Sequence, residues 1–213
     1  MLLPDGALLA ISGIGNEAAT RAACALADAG ATALVSWGMA GALDPKLRAG
    51  QLLLPSTVIT PDGTQFHTAA QWRARLAHEL AGRLAVCEGL LLTSPVAIDT
   101  LESKAAALRA TQALAVDMES AAVARVAAAR ALPFIAIRAI VDTAVDVLPR
   151  SVLVASRAGQ VQRWRLAREL ALAPGEIASL LHLARRFHAA KRTLLLVARA
   201  GLVHSSASSV QVA

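Results

Sequence analysis

Two carboxylates in the middle of the chain stand where a strand-like run gives way to a helix-like one. Asp117 and Glu119 follow the apolar residues 114–116 and precede an alanine-rich stretch. Acidic side chains there stabilise a helix start, so capping by Asp117 is one interpretation. The other is that Glu119 binds a vicinal diol, because its two oxygens can each accept a hydrogen bond from a sugar hydroxyl.

Residues 134–142, FIAIRAIVD, place two more charged side chains in an apolar run. Arg138 and Asp142 are four positions apart, so in a strand both point to the same face. A buried arginine needs a partner of opposite charge, and we expect Arg138 to pair with a carboxylate. Asp142, at the strand end, is interpreted either as an ordinary loop or cap residue or as a catalytic group.

Glycines mark two further segments that suit ligand binding. Gly13 and Gly15 lie in SGIGN at a predicted helix start, where backbone N–H groups attract anions, although a plain tight turn has the same pattern. Gly38 and Gly41 flank Met39 in a predicted loop, where glycine lets the backbone approach a ligand or adopt a positive φ. We take Gly13, Gly15, Gly38 and Met39 as a candidate anion or ribose loop.

Strand-like and helix-like segments alternate along the first two thirds of the chain. This alternation predicts an α/β fold with helices on both faces of a central sheet. A linker at 149–159 and helices at 160–172 and 175–200 are expected to follow. The predicted strands are 8–14, 33–36, 51–60, 84–93, 114–116 and 133–141, and the predicted helices are 17–29 with Asn16 as cap, 69–81, 101–111 and 118–132.

Composition excludes several function classes. Aromatic residues make up 3% with no tyrosine, which argues against a protein that stacks nucleic-acid bases. No apolar run reaches the roughly 18–20 residues of a membrane span, and the start of the chain has no signal-peptide pattern. The two cysteines suggest neither a disulfide framework nor a metal site, so a cytoplasmic location is expected. Through residue 156 there are 12 basic and 13 acidic residues, and beyond it 9 and 2, so the net charge of +6 belongs to the tail.

Four motifs, in order, resemble the purine nucleoside phosphorylase and nucleosidase superfamily over about residues 8–142. They are SGIGN, GMAGALDP followed by GQL, VDMES, and PFIAIRAIVD. The resemblance implies a three-layer α/β/α domain with a central mixed sheet over residues 1–150, with 151–213 as a basic helical extension. It implies an enzyme that cleaves the N-glycosidic bond of a purine nucleoside, with water or phosphate as acceptor and no cofactor or metal.

The resemblance also assigns roles to individual residues. Asp142 matches the acid that hydrogen-bonds the purine near N7 and protonates the departing base. Such general-acid help is worth roughly 10²–10⁴-fold. Glu119 matches the acceptor for the ribose diol, and Met118 matches the apolar floor beneath the sugar.

Within that superfamily the chain is most similar to the hopanoid-associated branch, which is thought to remove adenine from adenosylhopane, a nucleoside attached to a large triterpenoid. The similarity lies in DMES, in the Leu-Pro pair after Asp142, and in the basic tail. A methylthioadenosine/S-adenosylhomocysteine-type nucleosidase is the alternative. A small-molecule or lipid-linked nucleoside is the expected partner, with homo-oligomerisation. The apolar stripe along the helix at 175–200 favours packing on the protein body or on another subunit, with its basic face solvated. Peripheral contact of this helix with the inner membrane is the second interpretation.

Three departures from the family pattern qualify this assignment. Many phosphorylase relatives carry serine at the place of Met39 and arginine at that of Ser36, so their phosphate clamp is not recognisable here. Nucleosidase relatives place an aromatic residue near Val96 and Ala97, and neither is aromatic. The family's first strand and its acidic loop, which supplies the water-activating glutamate in hydrolytic relatives, are expected to be missing.

Two other classes stay open at the level of sequence. A non-catalytic nucleoside-binding module fits the expected loss of the water-activating residue, although retention of Glu119 and Asp142 argues against it. A dinucleotide-binding fold is disfavoured because Ala18 stands at the sixth position of the glycine motif. In addition, no acidic residue follows about 20 positions on at a strand end.

Overall fold

A computed structural model describes residues 7–13, 15–146 and 177–200, with side chains of the last segment described from residue 182. An eight-stranded mixed sheet forms the centre, in the order β4-β3-β6-β7-β1-β8-β2-β5. The strands are β1 (Leu34–Ala42), β2 (Leu52–Leu53), β3 (Thr57–Ile59), β4 (Gln65–His67), β5 (Val86–Cys87), β6 (Leu90–Thr93), β7 (Ala115–Asp117) and β8 (Phe134–Asp142). The helices are α1 (Asn16–Asp28), α2 (Ala70–Leu80), α3 (Leu101–Thr111), α4 (Ser120–Ala129) and α5 (Ile177–Arg199).

The two faces of strand β8 show why the molecule has three layers. Ala136 and Ile140 belong to an apolar cluster that includes residues of α1 and α4. Ile135, Ile137 and Ala139 belong to a second cluster with α2 and α5. Because successive side chains of a strand alternate, a strand that is apolar throughout must be covered on both sides. The predicted α/β/α fold with a central mixed sheet is therefore confirmed.

Most helices begin and end within a few residues of their predicted limits. In α2, Trp72, Leu76 and Leu80 are buried along one face, as their spacing of four predicts. Helix α3 has its predicted bounds and starts with a capping box between Thr100 and Ser103. The prediction of Asn16 as the cap of α1 is wrong: Gly15, which has no side chain to cap the helix, holds that position.

Four predicted strands differ from the observed ones. Residues 8–13 form no strand beyond an isolated bridge at Leu8, and the Ile11 side chain is 92% exposed, so burial does not hold this segment extended. The strand 51–60, predicted with an interruption at Pro55, forms two separate strands, β2 and β3, because proline lacks an N–H for the ladder. The strand 84–93 divides into β5 and β6 near Gly89. Strand β1 continues through residues 38–41, where the sequence predicts a loop, because side chains of the neighbouring strand β8 pack against its glycines.

Helix α5 packs against the α/β body of the protein. Ala190, Leu194 and Val197 are buried in the cluster that contains Trp72 and Ile137. Thr193 Oγ1 donates a 2.6 Å hydrogen bond to the carbonyl oxygen of Gly50. The predicted helix at 175–200 is confirmed, whereas the linker at 149–159, the helix at 160–172 and the end of the tail lie outside the described residues.

Candidate active site

Asp142 lies buried at the end of β8, beside strand β1. In the parallel pairing of β1 with β8, a register shift after Ala40 sets Asp142 opposite Gly41. A Cβ atom on Gly41 would stand 2.9 Å from Oδ1 of Asp142, a distance that real Cβ contacts do not show. Glycine at position 41 therefore makes room for this carboxylate.

Lys104 is the partner of Asp142, and no local pattern in the sequence predicts it. Its side chain is 1% exposed, and its Nζ lies 2.5 Å from Oδ2 of Asp142. Nζ also donates to the carbonyl oxygens of Thr143, at 2.8 Å, and Asp146, at 3.0 Å. A lysine within an alanine-rich helix usually faces solvent, so only the tertiary contact distinguishes this one.

Arg138 forms the centre of a second buried network. Its Nε donates to Oδ2 of Asp117 at 2.7 Å, and its Nη2 donates to Ser36 Oγ at 2.6 Å and Ser120 Oγ at 2.9 Å. Thr93 Oγ1 donates to the other oxygen of Asp117 at 2.7 Å. The prediction that Arg138 is buried and paired with a carboxylate is confirmed, and Asp117 is that partner.

This network explains the strand that was predicted as a loop. A Cβ atom on Gly38 would lie 3.0 Å from Nη1 of Arg138, so Gly38 makes room for the guanidinium. Neither Gly38 nor Gly41 has a positive φ. The two glycines let charged side chains of β8 lie close to the backbone of β1. The prediction of a loop at these positions is therefore wrong.

Met39 lies in the same strand but faces the other side of the sheet. It packs partly buried against the cluster that contains Leu52 and Ile137, whereas Ser36 and Arg138 share the opposite face. The structure therefore separates Met39 from the side of the sheet that carries Arg138, because adjacent strand residues point in opposite directions.

Glu119 is half-buried at the start of α4 and is fixed by backbone donors. The N–H of Gly15 donates to Oε1 at 2.9 Å, and the N–H of Met118 donates to Oε2 at 3.3 Å. The anion bound at the helix start of α1 is thus a carboxylate of the protein itself. Each carboxylate oxygen accepts more than one hydrogen bond, so Glu119 retains capacity for two sugar hydroxyls.

The helix-cap interpretation of Asp117 is also supported. Ser120, the first residue of α4, donates its backbone N–H to Oδ2 of Asp117 at 3.2 Å. Asp117 therefore serves both the helix start and the guanidinium of Arg138, and neither contact excludes the other. The sugar-facing assignment rests on Glu119 alone.

Strand β1 separates the two candidate carboxylates. Gly41 pairs with Asp142 on one side and with Val116 of β7 on the other, and Glu119 follows Val116 by three residues. Two strand spacings amount to about 10 Å. The arrangement offers one carboxylate held by a cation and another held by backbone N–H groups, on opposite sides of one strand.

Large apolar side chains are exposed in the segments that adjoin these carboxylates. Ile11 precedes the turn that binds Glu119, and Val145, 70% exposed, lies in the turn between Asp142 and Asp146. Val96, 66% exposed, and Leu101 lead into helix α3, which carries Lys104. Within the described ranges, no group of three or more histidine, cysteine or acidic residues is placed to hold a metal ion.

Comparisons with known proteins agree with this architecture. The model of the phosphorylase superfamily matches residues 5–168. A structure designated methylthioadenosine nucleosidase from Weissella paramesenteroides is 25% identical, with a TM-score of 0.60, covering 73% of this chain and 77% of that one. The 5′-methylthioadenosine/S-adenosyl homocysteine nucleosidase of Campylobacter jejuni is 27% identical, with a TM-score of 0.60, covering 66% and 69%.

A third structure carries a nucleoside analogue. The 5′-methylthioadenosine/S-adenosylhomocysteine nucleosidase of Neisseria meningitidis in complex with methylthio-immucillin-A is 26% identical, with a TM-score of 0.58, covering 64% of this chain and 68% of that one. No curated protein matches the chain. Because the family model covers well over half of the sequence, the chain belongs to the phosphorylase superfamily and is an enzyme of its nucleosidase and nucleoside phosphorylase group.

Proposed function

We propose that this enzyme hydrolyses the N-glycosidic bond of an adenine nucleoside that carries an apolar substituent. The observation that carries the proposal is the placement of Asp142 and Glu119 on either side of strand β1 in a member of the phosphorylase superfamily. Asp142 protonates the departing base near N7. Glu119 accepts hydrogen bonds from the ribose diol, and Met118 lies under the sugar.

Water is the acceptor that the contacts favour over phosphate. Ser36 stands where phosphorylase relatives are expected to carry an arginine, and its hydroxyl is buried and bound to Arg138 and Ser120. The guanidinium of Arg138 is itself engaged by Asp117. Neither side chain is free to hold a phosphate oxygen. The similarity to nucleosidases supports the same choice.

The apolar substituent is inferred from the exposed side chains near the site. Ile11, Val96, Leu101 and Val145 adjoin the segments that hold Glu119 and Asp142. Exposed apolar residues in the segments that adjoin a polar site suit a ligand with an apolar part. Methylthioadenosine carries a small group of this kind and adenosylhopane a large one, and adenosylhopane is the substrate that we propose.

A series of 5′-alkylthioadenosines with lengthening alkyl chains tests this substrate class, with release of adenine measured by chromatography. Each buried CH₂ contributes about 0.8 kcal/mol, so kcat/KM should rise about fourfold per methylene until contact ends. A rise that continues through long chains supports adenosylhopane, whereas a maximum at the methyl compound supports the methylthioadenosine-type alternative. Failure to release adenine from every member contradicts the proposed function.

Peripheral membrane contact through α5 is a separate part of the proposal. The outer face of the helix exposes Phe187 and Leu195 together with the cations Arg185, Lys191 and Arg192. A basic face with apolar side chains binds anionic lipid surfaces, where a lipid-linked nucleoside is found. No helix in the described part of the chain is long and apolar enough to cross a bilayer. Homo-oligomerisation also stays a prediction.

A further inference from the structure

The contacts of Lys104 are all directed at one short segment. Its three donors serve Oδ2 of Asp142 and the carbonyl oxygens of Thr143 and Asp146. A lysine that is 1% exposed loses its hydration, which is unfavourable unless every donor finds a partner. Helix α3 therefore fixes both the side chain of Asp142 and the turn that follows β8.

The two oxygens of Asp142 have different surroundings as a result. Lys104 holds Oδ2, while none of the described residues donates a hydrogen bond to Oδ1. Both oxygens lie against Gly41, where a Cβ atom would stand 2.9 Å from Oδ1 and 3.0 Å from Oδ2. The same turn is tied on its far side, where the carboxylate of Asp146 binds Thr143 and the guanidinium of Arg186 on α5. One oxygen is thus held in place and the other is left for a ligand.

We infer that Lys104 is a positioning residue for base departure, an inference that rests on the proposed function. In the hydrolysis, water replaces the purine at C1′ of the sugar. The C–N bond breaks and its electron pair passes into the base, while a proton that Asp142 has taken up from solvent on Oδ1 moves to the purine nitrogen. Water bonds to C1′ and returns one proton to solvent. Asp142 is left as a carboxylate beside an ammonium group. Lys104 orients Oδ1 towards the base and stabilises the negative charge that Asp142 gains.

The test compares two leaving groups. Purine release needs a proton, as in 5′-methylthioadenosine, whereas 4-nitrophenyl β-D-ribofuranoside releases a stable phenolate that gains little from an acid. A positioned general acid accelerates such a reaction by roughly 10²–10⁴-fold. If Lys104 positions the acid, Lys104→Met should lower kcat on methylthioadenosine by at least about tenfold. Its KM and its rate on the nitrophenyl riboside should change little. A purely structural role would lower both rates together.

A double-mutant cycle completes the test. If Lys104 acts through Asp142, the rate of Asp142→Asn/Lys104→Met on methylthioadenosine should equal that of Asp142→Asn alone. Arg109→Met removes an exposed cation from the same helix and should leave both rates unchanged. If Lys104→Met does not fold, Lys104→Gln takes its place in the cycle, because its amide keeps donors for the two carbonyl oxygens.

The outcomes separate the two claims. A wild-type enzyme that releases no adenine from any adenine nucleoside contradicts both the proposed function and the role of Lys104. If the wild-type enzyme does release adenine, the result for Lys104→Met decides the second claim. A variant that is fully active, or that is impaired by the same factor on both substrates, contradicts only the role of Lys104. Additive effects of the two substitutions contradict it as well.

Discussion

At Asp142 the chemistry and the stability of the protein depend on the same carboxylate. Replacing Asp142 with Asn should lower turnover of the adenine nucleoside by about two to four orders of magnitude, because the amide cannot protonate the base. It also leaves the buried ammonium of Lys104 without its counter-ion, and breaking such a pair typically costs about 3–5 kcal/mol. Steady-state kinetics and denaturant unfolding measure the two effects, and unchanged turnover would remove Asp142 from the mechanism.

At Glu119 the question is which sugar the enzyme prefers. Glu119→Gln should weaken transition-state binding of ribosides by about 1.5–3 kcal/mol, the usual loss when a charged hydrogen bond is removed. A 2′-deoxyriboside offers one hydroxyl fewer, so its transition-state binding should weaken clearly less. The ratio of kcat/KM for the two sugars, measured in wild type and variant, checks this. If kcat/KM falls by the same factor for both sugars, Glu119 does not bind the ribose diol.

At the level of elements, Arg138 joins β8 to β7, β1 and α4. Arg138→Met strands the buried carboxylate of Asp117 and should lower the free energy of unfolding by about 3–5 kcal/mol. Arg130→Met is the matched control, because it removes an arginine–aspartate pair between Arg130 and Asp28 that is exposed and worth about 0–1 kcal/mol. Urea unfolding of both variants measures the difference. Equal losses would show that the buried network does not hold these elements together.

At the level of the whole molecule, α5 presents one face to the enzyme and another to its surroundings. Its buried face contributes Ala190, Leu194 and Val197 to the core, so deleting the helix would disturb the fold as well as any surface contact. The better change is Lys191→Gln, Arg192→Gln and Arg199→Gln, which removes three exposed charges and leaves the packed face intact. At about 1 kcal/mol per basic residue, vesicle affinity should fall on the order of a hundredfold.

Sedimentation with anionic phospholipid vesicles at low salt measures that affinity. Binding of the unaltered protein should weaken as salt is raised, because exposed charges are screened over about 8–10 Å. Substituting glutamine for Lys46, Arg48 and Arg83, which are exposed on the body, gives a control with the same change in net charge. Equal loss in both triple variants, or no binding by the unaltered protein, would contradict a membrane-facing role for α5.

Features that depend on local pattern and residue type follow from the sequence alone. The continuous apolar run of residues 133–141 predicted a strand, and a charge within it predicted a buried ion pair for Arg138. The alternation of strand-like and helix-like segments predicted helices on both faces of the sheet. The spacing of Trp72, Leu76 and Leu80 predicted the buried face of α2. The order of the four motifs predicted the superfamily and nominated Glu119 and Asp142 as site residues, whose roles stay predictions.

Only the tertiary structure decided which groups meet. Nothing near Lys104 in the sequence marks it as buried, because its partner Asp142 lies 38 residues away and is brought to it by the packing of α3 beside the end of β8. The sequence predicts a loop at Gly38 and Gly41, because a glycine leaves space beside the backbone and the sequence does not show which neighbouring side chain occupies it. In this fold the side chains of Arg138 and Asp142 fill that volume, and β1 stays extended between the two strands that hold the candidate site.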